Sequence, residues 1–134
     1  MHVQYVALCE QVILATDGRP SLIGVFNDLQ VPSLPFMLPR LAFAGRILFT
    51  ASEVGRSRKI EVAITDPGGA ELGRPGGDLA LPPAPAGAES VSVDVPIQFD
   101  LFEVSAAGRY TFMLHVDGAP AAAVQLSVRH AASA

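Results

Sequence analysis

With 134 residues, a formal net charge of −4 and one cysteine, the chain has the length of a single domain. It cannot close an internal disulfide, and it lacks the basic face that a nucleic-acid backbone requires. Half of its residues are hydrophobic and 16% are charged, where soluble domains usually carry about 25%, so either small apolar residues inflate the count or a partner covers apolar surface.

In chain order, Val3 to Leu14 reads as a strand with a bend near Glu10. Thr16-Asp17-Gly18-Arg19-Pro20 follows as a tight turn, because Asp-Gly supplies the positive φ angles such turns need. Ser21 to Val31 reads as one further strand. The segment Pro32-Ser33-Leu34-Pro35-Phe36-Met37-Leu38-Pro39 has too many prolines for a helix and takes an extended path. Its large apolar side chains either plug one end of the fold or form part of an interface. Leu41, Phe43, Ile47 and Phe49 then alternate with polar or small residues, and Ile60, Val62 and Ile64 do the same. The stretch from about 67 to 88 is a long Pro/Gly-rich loop, either disordered or functional, with room for a short strand near Leu79–Leu81.

The clearest alternation is Val91, Val93, Val95, Ile97, Phe99 and Leu101 against Ser92, Asp94, Gln98 and Asp100. Pro96 removes a ladder donor there, which places this strand at an edge or at a bulge. Ala107-Gly108-Arg109-Tyr110 puts a tyrosine just after a glycine corner, where its hydroxyl can turn back onto the corner backbone. Tyr110, Phe112, Leu114 and Val116 alternate next. Asp117-Gly118-Ala119-Pro120 is a turn, and Val124, Leu126 and Val128 close the pattern. Period-two alternation puts one face on a core and the other in water. The expectation is an all-β domain spanning 1–134: an antiparallel two-sheet β-sandwich, immunoglobulin-like or Greek-key, of about seven or eight strands.

Little in the chain points to chemistry. His2, His115 and His130 are far apart, and none has a second ligand at zinc spacing. No acidic run resembles a calcium loop. Cys9 sits in an apolar strand with no cation beside it, as a small core residue does. No serine occupies a nucleophile elbow, and no glycine-rich segment joins a strand to a helix.

The residues Ala7-Leu8-Cys9-Glu10, Asp17-Gly18, Ser21 to Asp28, Pro35-Phe36 and Gly108-Arg109-Tyr110-Thr111-Phe112 through Val116-Asp117-Gly118 resemble a family of small uncharacterised bacterial β-sandwich proteins, a domain of unknown function. The resemblance implies the sandwich and supplies no activity and no site residues.

The expectation for function is a non-enzymatic domain that acts through a protein partner or self-association, without cofactor or metal. Leu34, Phe36, Met37 and Leu38 are the candidate interface, extended by Phe102 and Met113 on outward parities. A small-ligand or carbohydrate module using loops at one end is the second reading. It is weakened by the lack of tryptophan and by Tyr5 and Tyr110 both pointing inward. An enzyme whose residues meet only in three dimensions is the third. No run approaches the ~20 apolar residues of a membrane span, and no leader pattern opens the chain, so a cytoplasmic protein is expected.

Overall fold

The computed structural model describes residues 1–131. In chain order the strands are β1 (His2–Cys9), β2 (Gln11–Leu14), β3 (Pro20–Ile23), β4 (Asp28–Val31), β5 (Phe36–Leu38), β6 (Leu41–Thr50) and β7 (Ser57–Thr65). They continue with β8 (Glu71–Gly73), β9 (Gly76–Ala80), β10 (Ser90–Phe99), β11 (Phe102–Val104), β12 (Gly108–Val116) and β13 (Ala119–His130). A 3-10 turn at Ala51–Glu53 is the only helical element among the described residues. The chain is therefore all β, as its alternation predicts.

Two larger sheets share one core. The first has the order β1-β6-β10, and the second β4-β13-β12-β7-β8, with β9 also paired to β7. Along β10, Val91, Val93, Val95, Ile97 and Phe99 lie opposite Phe49, Ile47, Gly45, Phe43 and Leu41 of β6. In the second sheet Ile64, Phe112 and Val124 line up across β7, β12 and β13. Side chains from both sheets meet in a single hydrophobic cluster, and burying each large one contributes about 1.5–3 kcal/mol. Phe99, Phe102, Tyr110 and Phe112 stack edge-on or tilted at one end of it, with ring centroids 5.7–6.2 Å apart.

The tyrosine corner forms. The Tyr110 hydroxyl accepts from the Ser105 and Ala106 N–H groups at 3.1 and 3.2 Å and donates to the Ala106 carbonyl at 3.1 Å. Its ring is fully buried, so one side chain ties the loop before β12 to the core. Pro96 falls on β10, an edge strand of the first sheet, where proline is tolerated.

The structure departs from the sequence expectation in several places. The second sheet is mixed, because β4 runs parallel to β13 with Asp28 to Val31 opposite Ser127 to His130. The expected single strand Ser21–Val31 is split into β3 and β4. At Gly24 (φ +68) the Glu10 side chain leaves no room for a Cβ, and the chain then crosses between sheets. Phe26 donates to the Leu8 carbonyl of β1, and Ser127 of β13 donates to the Asn27 carbonyl. The 67–88 stretch is built rather than loose: β8 and β9 both extend the second sheet along β7. Gly76 is required there, since a Cβ would run into the Ile60 carbonyl. A bulge between Val3 and Tyr5 pairs Tyr5 with Arg46 on the outward face of β6, so Tyr5 does not point inward as its parity suggests.

Candidate functional site

The predicted interface residues are drawn largely into the core. β5 pairs with β11, with Phe102 opposite Leu38, Glu103 opposite Met37 and Val104 opposite Phe36. Phe102 and Leu38 are 7% and 8% exposed, and Leu34 and Phe36 pack against the core. This small ladder closes the aromatic end of the domain, which is the plug reading of the Pro32–Pro39 segment. Phe102 is not outward. The chain turns after Phe99, so parity resets, and Leu101 rather than Phe102 faces water. Met37 remains exposed. Met113 is half-buried on the outward side of β12, opposite Ala63 of β7.

Exposed apolar surface is found elsewhere, on the β2–β3 hairpin. Val12 pairs with Leu22, and Leu14 with Pro20. This side of the hairpin lies over the outward face of the first sheet, against Tyr5, Ala44 and Pro96. The small outward residues Ala42 and Ala44 of β6 are buried beneath it. The opposite side carries Gln11, Ile13, Ser21 and Ile23, with Ile13 45% and Ile23 44% exposed. Leu14, at the end of the covered side, is nonetheless 55% exposed. Alternation in the sequence marks these residues as strand. It cannot say that a hairpin with apolar residues on both sides has only one side covered.

The reactive groups are dispersed. Cys9 is buried and free. Its Sγ donates to the Gln11 carbonyl at 3.5 Å, and burial pushes the thiol above its usual value, which keeps it protonated and unreactive. His115 and His130 each lie against a backbone carbonyl, of Met113 and Pro32, and His2 is exposed. No three His, Cys, Asp or Glu side chains among the described residues gather into a metal-holding group. No helix is long and apolar enough to cross a membrane.

Ion pairs hold the outward faces. Arg46 and Asp94, directly opposite across β6 and β10, are joined at 3.0 and 3.3 Å. Burial, and then the nearby Asp94 carboxylate, raise the Tyr5 hydroxyl beside them. Asp117, at positive φ, accepts from Arg58 Nη1 at 2.8 Å and from the Lys59 N–H at 3.0 Å. The Arg58 bond, followed by the Lys59 bond, holds its carboxyl below the usual range. These contacts stabilise a turn and a strand end and make no reactive cluster.

No curated protein and no solved structure matches the chain. The model of a family described as a family of unknown function (DUF6941) matches residues 4–129. That is nearly its whole length, and the chain belongs to that family.

Proposed function

We propose that the chain is a non-enzymatic, immunoglobulin-like β-sandwich that works by protein contact, and that its contact face is the outer side of the β2–β3 hairpin. The fold reading rests on the tyrosine corner and on two sheets sharing one core. The observation that carries the functional reading is the pair Ile13 and Ile23, two β-branched residues set diagonally across one side of the hairpin and nearly half exposed. Their neighbours on that side, Gln11 and Ser21, are uncharged. At the hairpin tip Asp17 and Arg19 neutralise each other at 2.6 Å. Apart from Glu10, whose side chain lies over Gly24 at the base of the hairpin, the face carries no net charge and can meet its own copy across a two-fold axis with little like-charge repulsion, so the partner we assign is a second copy of this chain. A buried, protonated thiol and separated imidazoles support a domain that binds rather than reacts. A cytoplasmic setting fits a chain whose one thiol is unpaired.

Light scattering at tens of micromolar tests this. Wild type should exceed the 14.0 kDa monomer mass, and the double change Ile13→Asn and Ile23→Asn should return it to monomer with an unchanged circular dichroism spectrum. Met37→Ser should leave the assembly intact. A wild type that is monomeric at these concentrations removes self-association, and an oligomer untouched by the double change moves the interface elsewhere.

A further inference from the structure

Carboxylates answer most of the cations in this protein. Arg19, Arg46, Arg58, Lys59, Arg74 and Arg129 each hold one. Among the described residues Arg40, Arg56 and Arg109 hold none; Arg40 lines a hollow that it shares with Glu10 and Asp100, whereas Arg109 opens into one of about 870 Å³. This hollow lies on the outward side of β12 and β13, bounded by the crossover at Asn27 and Asp28. Its volume falls in the range of small-molecule sites, about 300–1,000 Å³.

The electrostatics of the hollow are simple. Asp28 forks Arg129 at 3.2 and 2.9 Å, and that pair is neutral. The uncompensated charge is the Arg109 guanidinium, in a chain of net charge −4. Ser127 lies directly across the ladder from Arg109, so a hydroxyl donor stands beside the cation. A second hollow of about 260 Å³ adjoins the first: Asn27 and Val124 line both, and Val6, Leu8, Val25 and Phe26 wall the second. Val124 belongs to the inward row of β13, so the second hollow opens between the sheets, and a ligand that fills both bends round the edge of β13 at Asn27 and Val124, where β4 does not pair it.

We propose that this double hollow binds a small carboxylate with an aliphatic body. The carboxylate sits on Arg109 and the Ser127 hydroxyl, and the aliphatic chain lies along Val25, Phe26 and Val124. One uncompensated guanidinium matches a monoanion, because a planar carboxylate takes two parallel N–H donors from it. A dianion would leave a negative charge facing Asp28. The apolar arm adds affinity in proportion to the area of tail it covers. The charged end of the site, Arg109 and Ser127 on β12 and β13, lies apart from Ile13 and Ile23, so the Arg109→Met result and the failure of the hairpin interface are separate results.

Titration of the full chain with octanoate, followed by calorimetry and amide chemical shifts, tests the proposal. Octanamide and acetate serve as comparators: the first lacks the charge and the second lacks the tail. Octanoate should saturate, with shifts at Asn27, Arg109, Val124 and Ser127, and both comparators should bind weaker by about tenfold or more. Arg109→Met should weaken octanoate by about the same factor and leave octanamide unchanged. Val25→Asn should weaken octanoate and leave acetate unchanged. Arg109 is exposed and holds no carboxylate, so its variant should melt like wild type, which keeps the test free of unfolding. Octanoate that fails to saturate, octanamide that binds as tightly, or an Arg109→Met protein that binds octanoate like wild type each overturns the proposal.

Discussion

Replacing Tyr110 by phenylalanine isolates one part of the fold's wiring. The ring stays, and with it the edge-on contact to Phe102 at 5.9 Å. Only the hydroxyl goes, and with it three hydrogen bonds to Ser105 and Ala106. Each such bond is worth about 0.5–1.5 kcal/mol net. Ser105 and Ala106 are exposed, so their backbone groups recover some water, and the expected loss is about 1.5–3 kcal/mol. For a chain of this length that lowers Tm by roughly 5–12 °C. Urea unfolding followed by circular dichroism gives the free energy directly, with Tyr5→Phe on the outward face as the control. A Tyr110→Phe protein within about 0.5 kcal/mol of wild type, the range of a featureless surface change, would mean that the corner does not hold β12 in register.

Phe102→Ala should cost about 3–5 kcal/mol in the same assay, as a buried phenylalanine does, whereas Met37→Ser should cost under about 0.5 kcal/mol; equal costs would contradict the plug reading of β5 and β11. Asp117→Ala removes the acceptor for Arg58 and Lys59 at a positive-φ turn and should cost about 1–2 kcal/mol, read as a lower urea midpoint with unchanged slope. Stability should fall in acid. Hydrogen bonds from the Met1 ammonium, then from the Thr50 N–H and hydroxyl, hold Glu53 down to about 2, and Asp117 and Glu71 are also lowered. A carboxyl lowered by folding stabilises above its unfolded pKa and loses that contribution as pH drops through the folded one. Tm should therefore decline from about pH 4.5 toward pH 2, and Glu53→Gln should flatten part of that decline. A Tm constant down to pH 3 would speak against these pairs.

Much of this architecture is legible in the sequence because it is local. The inward rows of β10 and β12 follow from alternation alone, the tyrosine corner from a glycine before an aromatic, the edge position of β10 from Pro96, and the bend at Glu10 from a break in pattern. What escapes is set by distant partners. Alternation runs on through Ser21–Val31, and only the Gly24 crossover, anchored on Leu8 and Ser127, shows that the segment serves two sheets and that one pairing is parallel. Phe102 reads as outward because parity is counted through a turn that resets it. The glycines of 76–77 read as loop, although β7 supplies a ladder that needs no side chain there. The candidate contact face escapes for a related reason. Ile13 and Ile23 look like any strand residues until the other side of their hairpin is seen to lie on the first sheet.

The most direct test of the account is bleaching of methyl NMR signals by a soluble paramagnetic probe, recorded on wild type across a dilution series. The methyls of Ile47, Val62, Leu114 and Leu126 should be protected throughout, and Leu38 with them. Those of Ile13 and Ile23 should be bleached in dilute protein and become protected as concentration rises. Ile13 and Ile23 bleached equally at every concentration, or Leu38 bleached beside them, would contradict both the sealed core and the hairpin contact built on it.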